Sequence, residues 1–156
     1  MNPLLDVIVN KDKPAMYLTK DNKCAGFDDF DKAITGRRPF CCDMVKEVIP
    51  VDIDEKELAV LPLFREVIAN SGYAFIEVMS GGANSPNRHF YIYVDDERHR
   101  ELFANELRQI CGGKPIRINQ KIRPPYTLHR TGNAEAIPIS ETQVEAFIRS
   151  TEKVLV

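Results

Sequence analysis

Tyr73-Ala-Phe-Ile-Glu-Val-Met79, Ser80-Gly-Gly-Ala-Asn-Ser-Pro-Asn87 and Arg88-His-Phe-Tyr-Ile-Tyr-Val94 follow one another and decide how the chain is read. Two β-rich runs around a small-residue loop read as paired strands. In the second run Phe90, Ile92 and Val94 point one way, and His89, Tyr91 and Tyr93 the other. Working outward, Glu55 to Asn70 carries apolar residues at 58, 60, 61, 63, 64, 67 and 68, which predicts a helix stopped by Ser71-Gly72. Before it, Glu47–Ile53 reads as a strand ending in acids. After the paired strands, Asp95–Cys111 places Leu102, Phe103, Leu107 and Ile110 on one helical face. Asp95 or Asp96 is its expected N-cap, and Gly112-Gly113 its end. Pro115–Ile122 reads as a returning strand and Ala134–Ile139 as another. Ser140-Glu-Thr-Gln143 has capping-box spacing and opens a helix to about Thr151.

The resulting order, β-α-β-β-α-β-β-α, predicts an α+β class with a mixed or antiparallel sheet and helices packed on one face. Its shape is closer to an RRM-like palm than to a doubly wound sheet. A chain of 156 residues fits a single domain. Within it, residues 1–46 read as an irregular N-terminal part, 47–140 as the core and 141–156 as a C-terminal helix. In the first part Val7-Ile-Val9 and Ala15–Leu18 suggest short strands, Asp28–Ile34 a helical turn or two, and Phe40–Met44 an apolar run.

The net charge of −2 argues against a general polyanion coat. The charge is unevenly spread. From Arg108 to Gly132 there are six Lys or Arg residues and no acid, whereas residues 1–86 hold 10 basic and 14 acidic side chains. A local basic site on an acidic chain suggests a defined phosphate-bearing ligand. Cys24, Cys41, Cys42 and Cys111 form no Cys-x-x-Cys pair and read as buried reduced thiols. With three scattered histidines, no structural zinc site is expected. The N-terminus lacks a signal-like pattern and no apolar run reaches the ~18 residues of a span, so the expected location is the cytoplasm, with no membrane partner.

Three stretches could carry chemistry. Asp52 and Asp54 are two apart on a strand, so their carboxylates share a face and repel, and Mg²⁺ or Mn²⁺ is their natural partner. Ser80–His89 is a small-residue loop that opens onto Arg88 and His89. Ile122-Arg-Pro-Pro-Tyr-Thr-Leu-His-Arg-Thr-Gly132 holds Arg123, His129 and Arg130 on a proline-stiffened loop, a plausible grip for a triphosphate. Tyr91, Tyr93 and Tyr126 offer faces for base stacking or for a half-buried core. Singly, each stretch also fits a solvated strand end, a plain hairpin connection or a surface loop.

Taken in order, the Asp-x-Asp strand, the loop leading to His89 and the Pro-Pro-x-x-x-His-x-x-Gly loop resemble the catalytic core of the archaeo-eukaryotic primase superfamily. The likeness is to primase-polymerase domains of plasmids and phages, and it covers about residues 47–140. It implies a nucleotidyltransferase of DNA replication, making primers from NTP or dNTP on a single-stranded DNA template. It implies metal on Asp52 and Asp54, with these and His89 catalytic. Ser80, Arg88, His89, Arg123, His129 and Arg130 would meet the nucleotide or its phosphates, and Pro124, Pro125 and Gly132 would shape the closing loop. A replication helicase or other protein is a further expected partner. The family's third acidic motif falls where this chain has Arg117 or Asn119. A catalytically impaired module that binds nucleotide or single-stranded nucleic acid is therefore the alternative, and a small regulatory protein acting through a protein partner is a second.

Overall fold

The computed structural model describes residues 2–131 and 134–154. The N-terminal third is more regular than its sequence suggests. Helix α1 (Pro3–Ile8) starts because the Asn2 side chain accepts from the N–H groups of Leu4 and Leu5 at 3.0 and 3.2 Å, with Pro3 just inside. Val7 and Ile8, expected in a strand, are thus helical. Only Val9 makes a bridge, to Met44. Strands β1 (Ala15–Leu18) and β2 (Cys24–Asp28), helix α2 (Phe30–Gly36) and strand β3 (Phe40–Cys41) follow. They include a three-stranded antiparallel sheet in the order β2-β1-β3. The sequence hides it because β2 is exposed along nearly its whole length. Backbone pairing holds it in place, and no buried alternation marks it.

The second sheet is built from β4 (Val48–Ile53), β5 (Ala74–Met79), β6 (Arg88–Tyr93) and β7 (Ile137–Pro138), in the order β4-β6-β5-β7 with antiparallel neighbours. Between β4 and β5 run a 3₁₀ segment, Glu55–Val60, and helix α3 (Leu61–Asn70). The single helix expected over 55–70 is split there. Pro62 has no N–H to give Leu58, so the α-helical ladder cannot cross that point. Helix α4 (Glu97–Cys111) follows β6, capped by Asp96, whose side chain accepts from His99 N–H at 2.9 Å. Helix α5 (Glu141–Val154) closes the chain. Its Ser140 cap accepts from Gln143 N–H at 3.1 Å, as the capping box predicts. Gln143 does not reach back to the cap. Its side-chain oxygen accepts from Glu77 N–H at 2.6 Å and ties α5 to β5.

Both faces of this sheet are covered, contrary to the one-sided arrangement expected. Ile49, Val51, Ile53, Phe90 and Ile92 pack against Phe64, Ile68, Phe103 and Leu107 of α3 and α4. Val48, Ile76, Val78 and Tyr91 pack against Leu4, Ile8, Phe40 and Phe147, so α1, α5 and the N-terminal sheet cover the other face. Each such large apolar side chain contributes about 1.5–3 kcal/mol on burial. The architecture is α+β, as expected, with antiparallel sheets.

The strand expected over Pro115–Ile122 does not form. Ile116 makes one bridge to Val51 on the free edge of β4, and Ile122 makes one to Cys42. Between them the chain turns. Gln120 N–H donates to the Arg117 carbonyl at 3.1 Å, and Asn119 sits at φ 61°. A residue in the left-handed region ends an extended run. All four cysteines are free. Cys42 is buried, but Cys24 is exposed on β2, against the expectation of a buried thiol. Among the described residues no helix is long and apolar enough to cross a membrane.

Candidate functional site

β4 pairs with β6 so that Asp52 lies opposite His89. Ile53 turns into the core beneath α3, so Asp52 points to the other face. Asp54 stays extended past the strand end (φ −94°, ψ 177°), which keeps its side chain on the side of Asp52. His89 Nε2 is 3.3 Å from Asp52 Oδ1, and its Nδ1 is 3.3 Å from the Tyr91 hydroxyl. That hydroxyl donates to the Arg123 carbonyl at 2.9 Å. Both ring nitrogens of His89 therefore face oxygen atoms.

These groups floor a cavity of about 570 Å³. Asp52, Asp54, Ser80, His89, Arg123, His129 and Arg130, all expected at the site from sequence, line it together. Arg88 does not. Its neighbour His89 takes the cavity face, so Arg88 takes the opposite one. There its Nε donates to Glu77 Oε2 at 3.2 Å and its Nη1 to the Ser85 and Asn87 carbonyls. Pro124 and Pro125 are buried and brace the loop, while Gly132 lies outside the described residues. Tyr91 is fully buried, Tyr93 and Tyr126 are half-buried against the core, and none of the three lines this cavity.

Several lining groups had no signal in the sequence. Leu18 and Asn22 come from the β1–β2 hairpin and Cys41 from β3. Long-range pairing alone brings them there. Burial, the largest effect on Cys41, pushes its thiol up to about 11, so it lines the wall as a neutral group. Lys121 also lines the cavity, and its ammonium donates to Asp43 and, at 2.8 Å, to the Pro14 carbonyl.

Charge decides what the cavity suits. Lys114, Arg117, Lys121, Arg123 and Arg130 line it against two acids, Asp52 and Asp54. Arg123 is 8% exposed, and one of its terminal nitrogens donates to the Ser80 carbonyl. Its other terminal nitrogen has no partner. Neither has Arg117 Nε nor Arg130 Nε. Among the described residues, the arginines that carry a buried nitrogen without a partner all line this one cavity. Unpaired buried donors are costly, and an anion with several oxygens satisfies them. His129 is held below its ordinary range, first by burial and then by the cations Arg123 and Arg130. It donates or accepts there mainly as a neutral ring.

The two carboxylates titrate as a pair. Burial raises Asp52, but the hydrogen bond and charge of His89, the hydrogen bond from Asp54 and the charge of Arg117 outweigh it and bring it down to about 2. Asp54 is pushed up to about 6 by burial, then by the charge and hydrogen bond of Asp52 and by Glu57. Ionising Asp54 therefore opposes folding. Its contribution is fully present below the unfolded value near 3.8 and is lost as pH rises through about 6. Asp52 has the opposite sign, and its stabilisation fades only as pH falls toward 2. In chelator, Asp54→Asn is expected to raise Tm above pH 6 by about 2–4 °C. That is the shift about 1 kcal/mol gives a chain of this size, after solvent screening of a half-open carboxylate. At pH 4 the variant and the parent should melt together. Thermal unfolding across pH 4–7.5 checks this, and an equal gain at both ends would contradict it.

Among the described residues no group of three or more His, Cys, Asp or Glu side chains is placed to hold a metal. The donor set at hand is the carboxylate pair, whose mutual repulsion a divalent cation relieves. Mg²⁺ and Mn²⁺ accept a site of one or two carboxylates completed by phosphate oxygens and water, so the pair fits one such ion. Compared with protein-family models, with curated proteins and with solved structures, the chain matches none.

Proposed function

We propose that this cavity binds the triphosphate of a nucleoside triphosphate with one Mg²⁺ or Mn²⁺, and that the chain is a primase-polymerase-type nucleotidyltransferase. The observation that carries this reading is the convergence of Asp52, Asp54 and His89 with three unsatisfied arginine donors on one cavity. The strand layout supports it too. β4 and β5 run parallel with β6 between them, and Ile116 bridges the outer edge of β4, the arrangement of a split β-α-β palm.

In this reading Arg123, Arg130 and Arg117 take the phosphate oxygens, and His89 meets the phosphate chain beside Asp52. A primer or initiating hydroxyl attacks the α-phosphorus. A new P–O bond forms, the bond to the bridging oxygen breaks, pyrophosphate leaves and the hydroxyl proton passes to solvent. The arginines neutralise charge that spreads over the phosphoryl oxygens and the leaving group. A divalent ion on Asp52 and Asp54 supplies Lewis-acid stabilisation of the same charge. Single-stranded DNA is the template of this reading, and a replication helicase or other protein its partner.

A second reading has its own observation. Arg117 Nη2 lies 3.6 Å from Asp52 Oδ2, so a cation already faces the carboxylate pair. That favours a module that binds nucleotide or single-stranded nucleic acid without chemistry. Calorimetric titration with a triphosphate separates the two. The enzyme reading expects binding at least about tenfold weaker in EDTA. Binding that ignores EDTA and falls steeply with salt would favour the module.

A further inference from the structure

We infer that Arg117 stands in for a second metal ion: the site takes one divalent cation, and this guanidinium supplies the second positive charge at the carboxylate pair. The inference rests on the triphosphate reading above and names how that site is charged.

The placement of Arg117 is fixed by backbone. Its N–H donates to the Pro50 carbonyl at 2.9 Å, Asp52 N–H donates to the Pro115 carbonyl at 2.8 Å, and Ile116 bridges Val51 between them. The short edge pairing thus delivers Arg117 beside Asp52. With His89 Nε2 at 3.3 Å from one oxygen and Arg117 Nη2 at 3.6 Å from the other, both oxygens of Asp52 already have protein neighbours, and one of these is a guanidinium. A single ion can still be shared with Asp54. A second ion on the Arg117 side would sit within a few ångströms of a fixed positive charge, and among the described residues no further carboxylate lines the cavity to offset it. Two-ion phosphoryl-transfer sites need enough acid to hold ions about 3.5–4 Å apart, and this one lacks it.

Arg117 is also not a settled structural ion pair. The same molecule shows what one looks like. Arg65 grips Glu77 with Nε at 2.8 Å and Nη2 at 2.7 Å, both ends of the fork used. Arg117 stands off Asp52, reaches Gln120 Oε1 with Nη1 at 3.3 Å, and keeps Nε buried without a partner. It is a cation on the cavity lining beside the carboxylates, without the full fork pairing that Arg65 has.

The test counts bound Mn²⁺ by electron paramagnetic resonance and native mass spectrometry, with an α,β-methylene nucleoside triphosphate present. One ion per chain is expected for the parent and for Arg117→Lys. Two spin-coupled ions are expected for Arg117→Asp. Should that variant fail to fold, Arg117→Asn carries the test through a split. Mn²⁺ alone should bind about tenfold or more tightly than to the parent, while the triphosphate analogue binds more weakly. Two ions in the parent, or Arg117→Asn leaving both affinities unchanged, would overturn the inference while leaving the nucleotide reading standing. No ion and no triphosphate in the parent would overturn the nucleotide reading itself, and this inference with it.

Discussion

Replacing Asp52 and Asp54 together with alanine is expected to lower nucleotide incorporation on a single-stranded DNA template by at least about 10³-fold, with the fold intact. The size follows from what the pair does in the proposed site. Among the described residues no other carboxylate lines the cavity, so the pair is the acid at hand to hold a divalent ion against the triphosphate. The fold should survive because both side chains face the cavity, and removing them relieves the burial and repulsion that hold Asp54 near 6. The hydrogen bonds of the Asp52 backbone, to Pro115, remain. Labelled-nucleotide incorporation and circular dichroism on the same sample check both halves. Product made at the parental rate by a folded double variant would remove the metal assignment and the proposed chemistry.

Arg123→Ala should weaken triphosphate binding about 100-fold, near 3 kcal/mol, the scale of a desolvated charge-assisted contact. Arg123 is the most buried cation of the cavity. One terminal nitrogen is committed to the Ser80 carbonyl, and the other is buried without a partner. The Ser80 contact fixes the guanidinium, so little entropy is lost when the ligand binds. Lysine keeps the charge but loses the fork, and Arg123→Lys should recover only part of the affinity. The alanine change also strips a partner from a buried carbonyl and should lower Tm. Binding is therefore compared on samples shown to be folded, at two salt concentrations. Triphosphate affinity within twofold of the parent in folded Arg123→Ala would remove Arg123 from the site.

Much of this was legible because the strands alternate cleanly. Val51-Asp-Ile-Asp54 and Arg88–Tyr93 carry period-2 patterns, and the register that joins Asp52 to His89 follows once those faces are matched. The same rule should have separated Arg88 from His89, since adjacent strand residues cannot serve one cavity. The resemblance groups Arg88 with His89, and alternation is the better guide. Pro115–Ile122 misled for another reason. Its apolar spacing suits a strand, but Pro115 lacks an N–H and Asn119 adopts a left-handed φ, so pairing stops at Ile116. The N-terminal walls were illegible in principle. Leu18, Asn22 and Cys41 bear no mark of the cavity they line, because backbone pairings across distant parts of the chain put them there.

The bridge between Cys42 and Ile122 and the contact of Lys121 with the Pro14 carbonyl join residues that are 80 and 107 positions apart. Each such closure costs chain entropy that other native contacts must offset. The cavity draws its lining from residues 18 to 130, so it is complete only when these distant segments are joined. A ligand that fills it binds the native state alone and raises the free energy of unfolding of the whole molecule. Resistance to proteolysis, read anywhere along the chain, becomes a gauge of occupancy, and it can be used to search for the ligand before any reaction is known.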